Sequence, residues 1–236
     1  MKIYPFSVYE ELLKIDYDNL KNKDWDCLSV CCGHEGIGKS KLTLFAIELW
    51  FKIKNIPLTE ENFKKAMGVK LSEWSMILRT IGKYRLHTAI NVFDEAGDVL
   101  SGKHANNKVV RAIEDSLKVI RGLNLMTILV TPSLFILSPY IRNWRVRVVY
   151  YVSKRGVCNV YFGKTLQKLI AENENSSFPN MFCVNPDICF KVPLYEGVFL
   201  KPYVKMKNAK MYEVLVNLDD VVNEDVKKNS AKIKLD

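Results

Sequence analysis

Hydrophobic and polar positions change period several times along the chain, and those changes divide it into elements. Cys27-Leu28-Ser29-Val30-Cys31-Cys32 is a short, mostly apolar run with the length of a buried strand. From residue 41 to 54 the period becomes helical, with Leu42, Phe45, Ala46, Leu49, Trp50 and Ile53 recurring on one side before Pro57 stops the run. Residues 59–83 read as two helical runs parted by Gly68, the first holding Phe63, Ala66 and Met67, the second Trp74, Ile77, Leu78 and Ile81. Strands are predicted at 88–93, 123–131 and 145–152, with 157–162 returning as a hairpin across the turn at 153–156. Between them, residues 109–121 are amphipathic, placing Val109, Val110, Ile113, Leu117 and Ile120 on one side.

Strands that are apolar throughout and alternate with helices predict an α/β fold with a mainly parallel sheet covered on both faces. A short helix at 8–15 and a polar link lead into it. From residue 172 the composition shifts: 173–180 is polar, 181–200 offers short strand-like pieces broken by Pro186, Pro193 and Gly197, and 205–236 is a mixed-charge tail. The expected division is a lead-in at 1–24, a core at 25–171 and a strand-rich extension at 172–236. With 236 residues and 48% hydrophobic composition the chain is large enough for one such core and a small appendage.

The turn between the first strand and its helix carries the most specific chemistry. Gly33-His34-Glu35-Gly36-Ile37-Gly38-Lys39-Ser40 fits G-x-x-x-x-G-K-[ST], and a strand before it with a helix after it is the context that motif requires. Backbone N–H groups of the loop and of the helix start, through Lys41, face a polyphosphate. Lys39 reaches the β- and γ-phosphates, and the Ser40 hydroxyl takes a Mg²⁺ site. The strand at 88–93 ends in Asp94-Glu95, where active-site residues of a parallel sheet collect. Asp94 then holds the Mg²⁺ through water, and Glu95 orients or deprotonates the attacking water of ATP hydrolysis. Thr131-Pro132-Ser133 ends the next strand; Thr131 either contacts the γ-phosphate or the water, or simply terminates the strand with Pro132. The glycine-bearing stretch 96–107 reads as a loop, and His34, His87 and His104 show no metal or acid–base spacing.

Charge changes the picture from a generic nucleotide-binding chain. Lys plus Arg is 35 against 26 Asp plus Glu, a formal charge of +9. No carboxylate occurs between Asp115 and Glu172, while Lys118, Arg121, Arg142, Arg145, Arg147, Lys154, Arg155, Lys164 and Lys168 do. The whole net charge belongs to that segment, which points to an anionic polymer more than the total does. Six cysteines without a Cys-x-x-Cys pair read as free thiols of a reducing compartment. With no signal peptide and no apolar run near ~18 residues, neither a membrane span nor export is expected, and the expected location is the cytoplasm, that of a host if the chain is viral.

The order of phosphate loop, Asp-Glu strand, Arg121-Gly122 leading into a strand, Thr131-Pro132-Ser133 and an arginine-rich strand resembles the HerA/FtsK branch of RecA/ASCE-like P-loop ATPases, which includes viral DNA-packaging motors and zonular occludens toxin-like phage proteins. The resemblance covers about residues 28–152. It implies ATP and Mg²⁺ as cofactors, a homo-oligomeric ring, commonly a hexamer, and double-stranded DNA as the polymer moved. A capsid or replication protein would be a further partner. It also implies an arginine supplied in trans, for which Arg142 and Arg121 are the candidates, either of which could instead bind a DNA phosphate. Where FtsK-type pumps carry a Thr-Gln sensor this chain has Thr131-Pro132, so the sensor role passes to Thr131 or is weakened. Two other readings stay open: an AAA+-type replication initiator or helicase loader, which should carry a helical lid with a sensor arginine, and an ATP-gated DNA-binding or scaffolding protein with little turnover.

Overall fold

The computed structural model describes residues 2–23, 25–102, 108–174 and 176–232. Its contacts fall into two compact units, Met1–Phe199 and Leu200–Asp236. The lead-in and residues 172–199 are therefore built into the same unit as the core, and no unit boundary falls at 24 or at 171.

The first unit is a seven-stranded sheet in the order β2-β3-β4-β1-β5-β6-β7. The strands are β1 (Cys27–Cys32), β2 (Met67–Gly68), β3 (Ile90–Phe93), β4 (Met126–Thr131), β5 (Val146–Lys154), β6 (Val157–Phe162) and β7 (Ile188–Lys191). β2, β3, β4, β1 and β5 pair in parallel, whereas β6 and β7 add as antiparallel strands. Every residue of β1, β3 and β4 is buried, the condition of strands covered on both faces and the reason their sequences do not alternate.

Helices α1 (Ser7–Asn22) and α2 (Lys39–Ile53) cover one face. Tyr9 of α1 stacks on Phe190 and meets Tyr150 edge-on, and Tyr17 meets Trp50 of α2 edge-on. Helices α4 (Leu71–Tyr84), α6 (Lys108–Val119) and α7 (Gly163–Asn173) build the other face, where Trp74, Leu78, Ile113, Leu117, Leu166 and Leu169 join Val30, Leu129, Val149 and Tyr161 in one cluster. Within this core Asn91 is fully buried yet satisfied: it accepts from the Trp74 indole at 3.1 Å and donates to Thr127 Oγ1 at 2.9 Å. That bridge ties α4, β3 and β4 together three residues before Asp94, and a buried amide left without it would cost about 1–3 kcal/mol.

The α/β class and the mainly parallel sheet are as the sequence predicts. Several elements differ. α1 runs seven residues past the predicted helix end, because Tyr17 and Leu20 continue its apolar face. Gly68, predicted as a break between two helical runs, lies in the edge strand β2 between α3 (Glu60–Lys64) and α4, where a side chain would strike the backbone of Trp74. The predicted loop at 96–107 begins as a short helix α5 (Ala96–Val99), and its Lys103, His104, Asn106 and Asn107 lie outside the described residues. α7 has no predicted counterpart.

The strand-rich extension needs correction too. Of its predicted strands only β7 forms among the described residues, and it hydrogen-bonds to β6 as part of the main sheet. The mixed-charge tail is helix α8 (Leu200–Lys232). Its one proline, Pro202, sits in the first turn, where the lost N–H has no helical partner, and it contains no glycine. Charge alone does not break a helix. All six cysteines are free thiols; burial pushes the Cys32 thiol up to about 12 and raises those of Cys31 and Cys158. No helix among the described residues is long and apolar enough to cross a membrane.

Candidate active site

The site lies where β1, β3 and β4 end. After Cys32 the chain turns through Gly33–Gly38 into α2, with φ of 138° at Gly33 and 107° at Gly38. Gly33 donates its N–H to Pro132 O at 3.1 Å, and a side chain there would collide with the carbonyl of Val152. Only glycine lets the loop pass between the ends of β4 and β5. Gly38 caps α2 with no side-chain hydrogen bond, so the first-turn amides are not consumed by a cap and their dipoles face the loop.

Lys39 folds under the loop and donates from Nζ to Gly33 O at 2.7 Å and His34 O at 2.8 Å. Ser40 Oγ donates to Asp94 Oδ1 at 3.1 Å. Asp94 is 1% exposed, and its own N–H donates to Gly68 O at 2.9 Å, so the edge strand β2 fixes the backbone of the carboxylate. A hydroxyl and a carboxylate in contact, both hard oxygen donors, fit the Mg²⁺ preference for few protein ligands plus phosphate and water. No group of three His, Cys, Asp or Glu able to hold a metal occurs among the described residues.

Glu95 follows in the left-handed region at φ 63°, half-buried, as the N-cap residue of α5. A non-glycine residue held there costs on the order of 1 kcal/mol, a strain that the fold tolerates beside this carboxylate. Thr131 is fully buried opposite Cys32 in the β1–β4 register and donates to Ser133 O at 3.1 Å. Gly97 packs against it; a methyl at 97 would sit 2.7 Å from Thr131 Oγ1. One rim therefore brings together the loop 33–38, Lys39, Ser40, Lys41, Asp94, Glu95 and Thr131.

The two arginines are elsewhere. Arg142 lies on the turn 141–145 that enters β5, and Arg121 on the 3₁₀ turn Ile120–Leu123 that enters β4, so both stand where the strands begin. At roughly 3.3 Å per residue the six residues of β1 put that rim about 20 Å from the loop. Arg145 donates there to Asp26 Oδ2 and to Leu117 O at 3.1 Å, and Arg121 Nε stands 3.7 Å from Asp26 Oδ1. Lys118 pairs with Asp115 at 2.7 Å. Three of the nine cations in the acid-free segment thus find carboxylates outside it.

Sequence reasoning missed Arg155, on the turn between β5 and β6, whose Nη2 donates to Gly36 O at 3.3 Å. It had counted only as one charge of a basic segment, and only the parallel pairing of β5 with β1 brings it to the loop. The apolar face of α1, in the lead-in, is spent on its own sheet.

Neither a protein-family model nor a curated protein sequence matches the chain. Among solved structures it is similar to the N-terminal domain of zonular occludens toxin from Neisseria meningitidis, at 18% identity over 74% of this chain and 97% of that one, with a TM-score of 0.46. It is also similar to the genome packaging NTPase B204 of Sulfolobus turreted icosahedral virus 2 in complex with ATP-gammaS, at 17% identity over 60% and 94%, TM-score 0.43. A chain of the E. coli MS115-1 HORMA:CdnC:Trip13 complex matches at 13% identity over 74% and 69%, TM-score 0.44.

Proposed function

We propose that this protein is a Mg²⁺-dependent ATPase of the HerA/FtsK type that oligomerises and couples hydrolysis to the movement of double-stranded DNA, as in viral or plasmid genome packaging. The observation that carries the reading is the contact of Ser40 with Asp94 beside a loop that already encloses the Lys39 ammonium. Loop amides and the start of α2 bind the polyphosphate, and Lys39 exchanges its two carbonyl partners for phosphate oxygens. Ser40 and Asp94 are the residues that would hold Mg²⁺, which when bound offsets the charge of the phosphates. Glu95 orients the attacking water and takes its proton, and Thr131 reports the γ-phosphate from the floor of the site.

Both candidate arginines lie too far along their own chain to reach their own site, which suits a role in trans. Arg121 faces Asp26, whereas Arg142 meets no carboxylate at ion-pair distance among the described residues and packs over Phe135 at 5.6 Å. Arg142 is the better trans arginine. For DNA, Arg147, Lys154, Lys164 and Lys168 are exposed and form no ion pair among the described residues. Phosphate contacts by such residues make affinity fall steeply with salt.

An AAA+-type initiator or helicase loader draws support from α8, since the C-terminal part is helical and not a set of strands. It lacks the sensor arginine such a lid should carry, because the chain has no arginine after Arg155. One experiment separates the readings: ATPase rate with and without double-stranded DNA, together with particle mass. A ring stimulated by DNA is expected, and in mixed rings Arg142→Ala subunits lower the turnover of neighbours whose own Arg142 is intact. A monomer indifferent to DNA would sink the motor.

A further inference from the structure

Beside the loop lies a cavity of about 310 Å³, at the small end of ligand pockets, which run roughly 300–1,000 Å³. Its floor is Gly36, Ile37, Gly38 and Lys41, and its walls come from two segments remote in sequence. One is the β5–β6 turn, with Val152, Arg155 and Gly156; the other is the strap Val192-Pro193-Leu194 after β7. Val192 N–H donates to Gly156 O at 2.9 Å, which fastens the strap to the turn.

We propose that this cavity receives the base of the nucleotide and holds it by its faces, with Arg155 stacked on one of them, so that the protein accepts both purine nucleoside triphosphates. The inference rests on the nucleotide reading above. It adds a specificity determinant that the phosphate loop cannot supply.

The chemistry of the walls carries it. Base edges are told apart by donors and acceptors, and among the described residues the lining's polar side chains are Lys41 and Arg155, both donors, with no side-chain acceptor beside them. On the strap the N–H of Val192 is spent on Gly156, and Pro193 has none. What remains is apolar surface and two cations. Leu194 is 67% exposed, an aliphatic side chain at the rim that a base would cover. Arg155 is exposed and tethered to the loop by a single 3.3 Å hydrogen bond, which a base entering the cavity can replace. Its planar guanidinium stacks on a π-face where an ammonium would not. A site built to read polar groups rejects an analogue by about 10⁴–10⁵, whereas an apolar one rarely exceeds roughly 10²; this cavity belongs to the second kind.

The test compares dissociation constants for MgATP, MgGTP and magnesium tripolyphosphate, the last carrying the phosphates without a base. ATP and GTP are expected within about tenfold of one another, both tighter than tripolyphosphate. Arg155→Ala weakens ATP and GTP by a similar factor of about ten while the tripolyphosphate constant stays at its wild-type value, and Arg155→Lys behaves as Arg155→Ala does. A preference above ~10³ for one purine overturns the proposal. So does an equal loss for tripolyphosphate, which would make Arg155 a phosphate ligand, or no loss at all. Failure of all three compounds to bind the wild-type chain overturns the nucleotide reading itself, and the base pocket with it.

Discussion

At the rim where β1, β3 and β4 end, Asp94 touches a serine hydroxyl, Lys39 is held by two backbone carbonyls, and Glu95 stands in a left-handed conformation. At the rim where the strands begin, Asp26 is closed off by two arginines, one of them as buried as itself. Both rims hold carboxylates and cations at similar depth. The difference lies in the partners: Asp26 meets two guanidinium groups, whereas Asp94 meets a serine hydroxyl at the start of a helix, the arrangement through which the proposed function would hold Mg²⁺. In the proposed function one rim reacts and the other holds, which makes the two separable by substitution.

Glu95→Gln is the sharpest way to break the contrast. It keeps the shape and removes the proposed base, so kcat should fall by about 10²–10⁴ while the dissociation constant for ATP changes little. Single-turnover hydrolysis beside equilibrium binding reads both, and undiminished hydrolysis would strip the reactive rim of its assigned base.

Asp26→Asn tests the holding rim. It leaves the Arg145 guanidinium, whose Nε already has no hydrogen-bond partner, buried without its counter-charge. Breaking a buried pair costs about 3–5 kcal/mol, which for a domain of this size is a drop in Tm on the order of 10 °C. ATP affinity of the folded protein should not move. A large loss of affinity without a loss of stability would invert the two rims.

How far this contrast is legible in the sequence follows from distance along the chain. The loop 33–40 and Asp94-Glu95 can be read because each is a local pattern whose meaning depends on the adjacent strand and helix. Asp26 and Arg145 are 119 residues apart and form no pattern; their pairing follows from β5 lying next to β1. The acid-free stretch 116–171 points to an anionic polymer by its charge, yet Asp26 and Asp115 neutralise part of it from outside. Arg155 and Leu194 meet at one cavity only because β7 carries the chain back along β6. α8 was missed for another reason: its composition is charged, and charge lowers the expectation of a packed core without lowering helix propensity.

A smaller effect comes from Asp16, on the face of α1 toward a cavity that Arg147 and Asn19 also line. Burial pushes its carboxyl up to about 7. The folded state therefore binds a proton that the unfolded state releases near pH 4, and stability is lost as pH rises through about 7. Asp16→Asn should leave Tm nearly unchanged at pH 4 and raise it at pH 8 by at most about 10 °C. A gain equal at both pH values would show that ionisation is not the cost.

The smallest effect belongs to Arg121→Ala, and it decides what the holding rim is for. Arg121 is 64% exposed and stands 3.7 Å from Asp26, so as part of a clamp it contributes about 0–1 kcal/mol, under roughly 3 °C in Tm. Arg145 remains to neutralise Asp26, and hydrolysis in a homogeneous oligomer should stay within about twofold of wild type. If turnover instead collapses by ~10³ or more with Tm unmoved, Arg121 reaches a neighbouring site, the trans role passes to it from Arg142, and the rim that holds one subunit together is also the one that completes the next.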